Sequence, residues 1–87
     1  LLVVDVGNTN ISFGVFDGTN LREHVRCESA RSRTADEYAV LVRQMLALRG
    51  LDHRQIENAI IASVVPSLTD TIVEVVRRGF GREALVV

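Results

Sequence analysis

The sequence is poor in the residues that build disulfide and cysteine–metal frameworks. Its 87 residues include one cysteine, one proline and no tryptophan. The lone Cys27 excludes an internal disulfide framework, a cysteine metal cluster and a catalytic cysteine pair. A chain without disulfides has its simplest setting in a reducing compartment, so we expect a cytoplasmic protein.

An excess of charge of one sign is also missing. Ten basic residues stand against eleven acidic ones, which gives a formal net charge of −1. This balance lacks the basic surface typical of nucleic-acid-binding proteins, so we expect no nucleic-acid partner. No apolar run approaches the ~20 residues that cross a membrane, and the opening run is too short for a secretory signal. We therefore expect no membrane partner.

Apolar side chains, in contrast, are abundant. Hydrophobic residues make up 47% of the chain, and the mean hydropathy is +0.20. A domain of this length buries only about 60–65% of its unfolded surface. We interpret the high apolar content as surface that another domain or subunit covers. The chain begins at Leu1 and ends on "ALVV", and we expect it to be a piece of a longer protein.

The first third of the chain predicts three antiparallel strands. Residues 1–6 form an apolar, β-branched run, and residues 11–16 alternate, with Ile11, Phe13 and Val15 on one face. The short connection 7–10 contains glycine, which predicts a hairpin. The turn signal "DGTN" then leads to residues 21–29, a more polar strand that we place at a sheet edge.

The remainder alternates between helix and strand. "TADE" is a capping box, with Thr34 at the N-cap, and Gly50 ends this first helix. Residues 58–65 read as a buried strand, "SLTD" at 67–70 as a second capping box, and "ALVV" as a fifth strand. Gly79 or Gly81 ends the second helix. The expected apolar positions of the two helices are Tyr38, Leu41, Val42, Met45 and Leu48, and Leu68, Ile72, Val75 and Val76.

These elements give the order β-β-β-α-β-α-β. The strands joined by helices are short and apolar, which implies parallel pairing and right-handed crossovers. We therefore predict an α/β fold with a mixed sheet and helices on its faces.

One stretch, "LLVVDVGNTN", carries the chemistry. Asp5 ends an apparently buried strand, where a bare charge is costly, and a carboxylate there suits Mg²⁺. Gly7 permits close approach of a phosphate to backbone N–H groups, and Asn8, Thr9 and Asn10 can add donors. Gly14 on the next strand is expected to leave room above the hairpin. Ordinary surface-turn chemistry remains the alternative for this pattern.

Three stretches resemble a known family. "VVDVGNTNISFGVFDG" at 3–18 looks like the first phosphate loop of the acetate and sugar kinase, heat-shock chaperone and actin superfamily. Within that superfamily it resembles the type III pantothenate kinases, as do "SRTADEYAVLV" at 32–42 and "IIASVVPSL" at 60–68. The resemblance implies an RNase H-like, actin-like ATPase domain, of which residues 1–87 are an incomplete N-terminal part, with the kinase's second domain absent.

The resemblance also implies a reaction. Type III pantothenate kinases transfer the γ-phosphoryl group of ATP to pantothenate, the first step of coenzyme A biosynthesis. They are cytoplasmic homodimers that use Mg²⁺ and a monovalent cation, K⁺ or NH₄⁺. The family's catalytic aspartate lies in a G-x-D-R segment that this chain lacks, so no catalytic residue is expected here.

The binding residues implied by the resemblance all lie in the first loop and its flanks. Asp5 would sit near Mg²⁺, through water. The segment that would contact or enclose the β- and γ-phosphates consists of Asp5, Val6, Gly7, Asn8, Thr9, Asn10, Ile11 and Ser12.

Three other functions remain open. Another small-molecule kinase of the superfamily would share the same loop. A non-catalytic nucleotide-binding regulator would be expected to have lost it, whereas Asp5, Gly7 and Thr9 are intact. An interaction domain could use an exposed sheet edge. Outside the loop we expect Tyr38 to pack in the core and the remaining candidates to have structural or solvent-exposed roles: Cys27, His24, His53, Arg31, Arg33, Ser63 and Pro66.

Overall fold

Five strands and two helices follow one another in the predicted order β-β-β-α-β-α-β. The computed structural model describes residues 1–87. The elements are β1 Leu2–Val6, β2 Asn10–Asp17, β3 Asn20–Glu28, α1 Ala35–Leu48, β4 Ala59–Ser63, α2 Pro66–Phe80 and β5 Leu85–Val86, with a 3₁₀ turn at His53–Gln55. Neither helix is long and apolar enough to cross a membrane.

The strands form one mixed sheet in the order β3-β2-β1-β4-β5. The pairs β1/β2 and β2/β3 are antiparallel, and the pairs β1/β4 and β4/β5 are parallel. The predicted hairpin, the predicted parallel strands and the polar third strand at an edge are all confirmed. The end of β1 therefore lies between β2, its antiparallel partner, and β4, its parallel partner.

Both helices of the predicted mixed α/β fold pack on the same face of the sheet. Alternate residues of β1 (Leu2, Val4 and Val6) are fully buried in one cluster with residues of α1 and α2. The connections from β3 through α1 to β4 and from β4 through α2 to β5 run in the same direction across the sheet. Right-handed crossovers then put α1 and α2 on one side. The opposite face, which we call the open face, carries no helix.

The helix α1 begins as predicted. Thr34 accepts from the Glu37 amide, and the Glu37 carboxylate accepts from the Thr34 amide, which completes the capping box. Its buried residues are Tyr38, Ala39, Val42 and Leu46. The expectation for Leu48 is wrong, because its side chain is 86% exposed. Leu48 lies two residues beyond buried Leu46, about 200° around the helix.

The helix α2 begins differently from the prediction. Pro66 occupies its first turn, Val65 is the N-cap, and no side chain caps the end, so the expected capping box at 67–70 is wrong. Proline favours the first helical position because its fixed φ suits the helix and its missing N–H would be unpaired there. Ser67 therefore lies inside the first turn, past the capping position.

Two glycines near the carboxyl end of α2 have different roles. Gly81 has a φ of +67° and ends the helix in the left-handed conformation, as glycine commonly does. Gly79 lies within the helix, where an added Cβ would stand 3.3 Å from the Ala39 Cβ. The absence of a side chain at Gly79 thus lets α2 pack closely on α1. The four predicted apolar positions of α2 are all buried: Leu68, Ile72, Val75 and Val76.

Candidate functional site

The loop of residues 7–9 joins β1 to β2 at the carboxyl end of β1. The end of β4 lies beside it, because the Val64 amide donates to the Val6 carbonyl at 3.1 Å. Ligands of open α/β sheets gather at the carboxyl ends of parallel strands. The predicted phosphate loop therefore stands at the position in this fold that most commonly binds ligands.

Glycine at position 7 is required by the loop itself. The Gly7 amide donates to the Asn10 carbonyl at 2.9 Å, which closes the turn. A Cβ at position 7 would lie 3.0 Å from that same carbonyl oxygen. Gly7 does not have a positive φ, so its conformation alone does not demand glycine. The local reason for Gly7 is this close approach within the loop, whether or not a phosphate also approaches there.

Ser29, the residue after β3, holds the loop from the other side. Its Oγ donates to the Gly7 carbonyl at 2.7 Å, and its amide donates to the Thr9 carbonyl at 2.9 Å. We did not predict a role for Ser29. The only signal that could have indicated this role is the strand register. Asn10 pairs with Glu28, the last residue of β3, so the residue that follows, Ser29, lies beside the loop.

The segment after β3 is in turn attached to α1. The Tyr38 hydroxyl accepts from the Ala30 amide at 2.8 Å and donates to the Ala30 carbonyl at 2.9 Å. The Arg33 guanidinium lies 5.1 Å from the centre of the Tyr38 ring. Tyr38 is fully buried, so its predicted core role is confirmed, and its hydroxyl adds a polar anchor. The segment that contains Ser29 and Ala30 is thereby attached to α1, whose N-terminus is capped.

Two backbone donors of the loop are free. The N–H groups of Asn8 and Thr9 donate to no group of the protein, and both residues are exposed. The carbonyls of Gly7 and Thr9 are meanwhile occupied by Ser29. A loop with bound carbonyls and free amides presents positive dipole ends to the solvent, which suits an anion.

Asp5 lies on the open face, not in the core. Its side chain is exposed, which corrects the expectation of a buried charge. The reason is strand alternation: Val4 and Val6 point at the helices, so Asp5 between them points away. Its neighbours across the sheet are Ser12 on β2 and Ala62 on β4. A charge at this position has little desolvation cost.

The eight predicted site residues thus divide by position. Asp5 and Ser12 share the open face next to the loop. Gly7 and Asn10 close the loop, and the exposed residues Asn8 and Thr9 form its tip. Val6 and Ile11 are fully buried, so they support the loop from the core.

Gly14 does not leave the open space that we expected above the hairpin. A Cβ there would lie 3.3 Å from Phe16 Cε1 and 3.4 Å from Leu21 Cδ1. The side chains of Phe16 and Leu21 therefore cover Gly14, and the expectation of open space is wrong. Its role is to let these two side chains lie over the strand, at the end of β2 away from the loop.

The residues beside the loop fit a divalent cation that arrives with a phosphate ligand. No group of three or more histidine, cysteine or carboxylate side chains that could hold a metal is present. Asp5 takes part in none of the ion pairs. Mg²⁺ at phosphoryl-transfer sites is bound by one or two carboxylates, substrate phosphates and water. A single free carboxylate beside the loop matches that pattern.

The remaining titratable candidates lack catalytic surroundings. Burial raises the pKa of the Cys27 thiol, an effect that nearby Arg33 opposes, so the thiol form is favoured and the nucleophilic thiolate is not. His24 is exposed on β3, and partly buried His53 lies 3.5 Å from Asp52. The predicted exposure is confirmed for His24, whereas His53 is partly buried beside Asp52.

The fold and the loop together define a class of protein. The structure is similar to the ROK hexokinase from Thermus thermophilus, with a TM-score of 0.72 and 19% sequence identity. The match covers 100% of this chain and 34% of the hexokinase chain. At this identity the likeness shows the fold, which is that of the sugar kinases and actin-like ATPases.

Sequence comparison then gives the family. The family model described as type III pantothenate kinase matches residues 1–87. Type III pantothenate kinases from Moorella thermoacetica, Anaeromyxobacter sp. (strain K) and Geobacter sulfurreducens are 45%, 46% and 45% identical over 87 residues. This chain belongs to the type III pantothenate kinase family. It spans about a third of the length of these relatives, 34% in each case.

Proposed function

We propose that the full-length protein transfers the γ-phosphoryl group of ATP to pantothenate, the first step of coenzyme A biosynthesis. The observation that carries this proposal is the match of the whole chain, residues 1–87, to the type III pantothenate kinase family. Relatives named for this activity are about 45% identical over the same residues. The loop at the end of β1 supplies the part of the chemistry that these residues can perform.

That part is the binding of the β- and γ-phosphates. The free amides of Asn8 and Thr9 would donate to phosphate oxygens, and the side chains of Asn8, Thr9 and Asn10 would add donors. Phosphoryl transfer needs little covalent help from the protein and depends on positioning and charge neutralisation. A loop whose carbonyls are held by hydrogen bonds is suited to positioning the phosphates.

Asp5 is the residue that we propose for Mg²⁺, through a bound water. Asp5 is exposed and pairs with Ser12 across the sheet. Only Val6 and Gly7 separate it in sequence from the loop tip with the free amides. When bound, the ion would neutralise negative charge on the phosphates. The role of Asp5 is to hold the ion's water and so to orient the phosphates relative to the loop.

Other parts of the reaction belong to the rest of the protein. We propose that residues 1–87 are the incomplete N-terminal RNase H-like domain and that a second domain follows. The catalytic aspartate, the pantothenate contacts and the K⁺ or NH₄⁺ site would lie in those further residues. We also propose a cytoplasmic homodimer without nucleic-acid or membrane partners.

Another small-molecule kinase of the same superfamily is the second candidate. The structural likeness to a hexokinase leaves this alternative open, because kinases for different acceptors can share the fold. A non-catalytic regulator has less support, because Asp5 and the loop are intact.

A coupled ADP-release assay on the full-length protein tests the proposal. ATP, Mg²⁺ and pantothenate are supplied with K⁺, with NH₄⁺ or with neither. Turnover that requires both pantothenate and the monovalent cation is the expected result. A folded protein that binds ATP but releases ADP only with a sugar such as glucose would replace pantothenate by another acceptor. Absence of ATP binding would overturn the kinase proposal.

A further inference from the structure

We propose that Ser29 is a positioning residue that sets the direction of the amide donors in the phosphate loop. The inference rests on the proposed function, since it concerns how the loop meets the phosphates of ATP. Ser29 lies outside the sequence motif, 22 residues from Gly7, and its hydroxyl makes one of the shortest side-chain contacts of the site, 2.7 Å to the Gly7 carbonyl.

The peptide bond is planar, so a carbonyl that is held in place also fixes the direction of the N–H in the same peptide unit. The Gly7 carbonyl and the Asn8 N–H belong to one trans peptide unit, so they point in opposite directions. Because Ser29 Oγ holds the Gly7 carbonyl, the Asn8 N–H must point away from Ser29. The hydroxyl of Ser29 thereby fixes the orientation of a donor that it does not touch.

The backbone of Ser29 acts in the same way on the next part of the loop. Its amide binds the Thr9 carbonyl at 2.9 Å, so the peptide unit that joins Thr9 to Asn10 is fixed as well. Two peptide planes of the loop are therefore held by a single residue. The unit between them, which carries the free Thr9 N–H, is constrained from both ends.

Ser29 can hold the loop because its own position is fixed. The neighbouring Ala30 is bound through both its amide and its carbonyl to the Tyr38 hydroxyl, at 2.8 and 2.9 Å. Tyr38 is fully buried in α1. The chain of contacts runs from the helix core through Ala30 and Ser29 to the loop. Pre-organised donors do not need to be reoriented when the ligand binds, which favours tight binding.

The test compares Ser29→Ala with Ser29→Thr in the full-length protein. Alanine removes the hydroxyl donor, whereas threonine keeps it. We expect Ser29→Ala to raise the dissociation constant for ATP and the KM for ATP roughly fivefold, because a loop without this bond of about 1 kcal/mol holds its donors in the binding orientation only part of the time. The KM for pantothenate should stay within about twofold, and Ser29→Thr should restore the affinity for ATP to within about twofold.

Thr34→Ala is the matched control. It removes the cap of α1 but no contact to the loop, so it should lower the melting temperature and leave ATP affinity unchanged. If Ser29→Ala does not fold, Ser29→Cys replaces it, because a thiol is of similar size and a weak donor. Wild-type ATP affinity in folded Ser29→Ala or Ser29→Cys, or an equal loss of affinity in Thr34→Ala, would overturn the positioning role. Failure of the unmodified protein to bind ATP would overturn the proposed function first, and this inference with it.

Discussion

Asp5 is an exposed carboxylate without an ion-pair partner, beside a loop with free amides. We predict that Asp5→Asn lowers kcat of the full-length protein by about 10²-fold or more, the size typical for loss of one group that stabilises developing charge. The melting temperature should hardly change, because exposed substitutions usually alter stability by less than ~0.5 kcal/mol. Steady-state kinetics and thermal denaturation measure the two effects.

Asp17→Asn is the control for this substitution. Asp17 is also an exposed carboxylate on the β1–β2 hairpin, but it lies at the far end of β2. It should retain wild-type kinetics. Wild-type turnover in Asp5→Asn would remove the metal role from Asp5.

The residues of the loop were predictable, whereas their supports were not. The spacing of Asp5, Gly7 and Thr9 is local in sequence, so inspection of ten residues locates the candidate site. Ser29 is remote in sequence, and its contact depends on the register between β2 and β3. The exposure of Asp5 depends on which sheet face the helices cover, which no short window contains.

Among the helices and strands, the N-terminal cap of α1 gives the clearest prediction for stability. Removal of the Thr34 side chain leaves the Glu37 amide without its partner, so Thr34→Ala should cost about 1 kcal/mol. Ser67→Ala is the matched control at α2, where no side chain caps the helix, and it should be neutral. Thermal denaturation of the full-length protein compares the two variants. Equal losses would contradict the capping geometry described for both helices.

The contribution of Glu37 to this cap should depend on pH. Hydrogen bonds from the Thr34 backbone and side chain hold the pKa of Glu37 below its usual range. A carboxyl with a lowered folded-state pKa contributes stability above its unfolded pKa and loses that contribution as the pH falls through the folded pKa. Glu37→Gln keeps a side-chain oxygen that can accept from the Thr34 amide but removes the titrating carboxyl, so its destabilisation should be largest near neutral pH and shrink in acid, below the ordinary glutamate pKa. A loss that grows on acidification would contradict this linkage.

The contact between the two helices depends on Gly79. An added Cβ would already stand 3.3 Å from the Ala39 Cβ, so the larger side chain of Gly79→Val must push α2 away from α1. Overpacking of this kind typically costs about 1–3 kcal/mol. Gln44→Val, an exposed position on α1, controls for the β-branched side chain in a helix. A melting temperature lowered no more than that of the control would show that the helices can adjust without cost.

Signals from adjacent residues predicted most of the helices and strands. They failed where a competing residue or a contact with another part of the chain determines the structure. The capping box of α1 and the glycine that ends α2 are encoded by adjacent residues. The start of α2 was misplaced because Pro66 competes with Ser67, and the proline geometry prevails. Leu48 was misassigned because the buried stripe of α1 follows Val42 and Leu46, which contact the sheet core.

The arrangement of the whole chain leaves one sheet face and one edge uncovered. The antiparallel and parallel pairing of the strands was predictable from the alternation of elements, but the placement of both helices on one face follows from the direction of the crossovers. Exposed apolar side chains gather around β4 and β5: Val64 is 71% exposed, Leu85 66% and Val87 82%. These exposed residues are among those that make the mean hydropathy of the chain high. We expect further protein to cover them, since exposed apolar edges favour association.

The same arrangement predicts what residues 1–87 do when they are produced alone. They hold the proposed phosphate loop and the carboxylate proposed for Mg²⁺, whereas the catalytic aspartate and the pantothenate contacts are proposed to lie elsewhere in the full-length protein. We predict no ADP release from this segment with ATP, Mg²⁺, K⁺ and pantothenate, while the full-length protein turns over in parallel. Far-UV circular dichroism checks that the segment keeps its helices and sheet. Pantothenate-dependent turnover by a folded segment would mean that these residues contain the catalytic group, and Asp5 would then be the first candidate because it is the exposed carboxylate beside the loop.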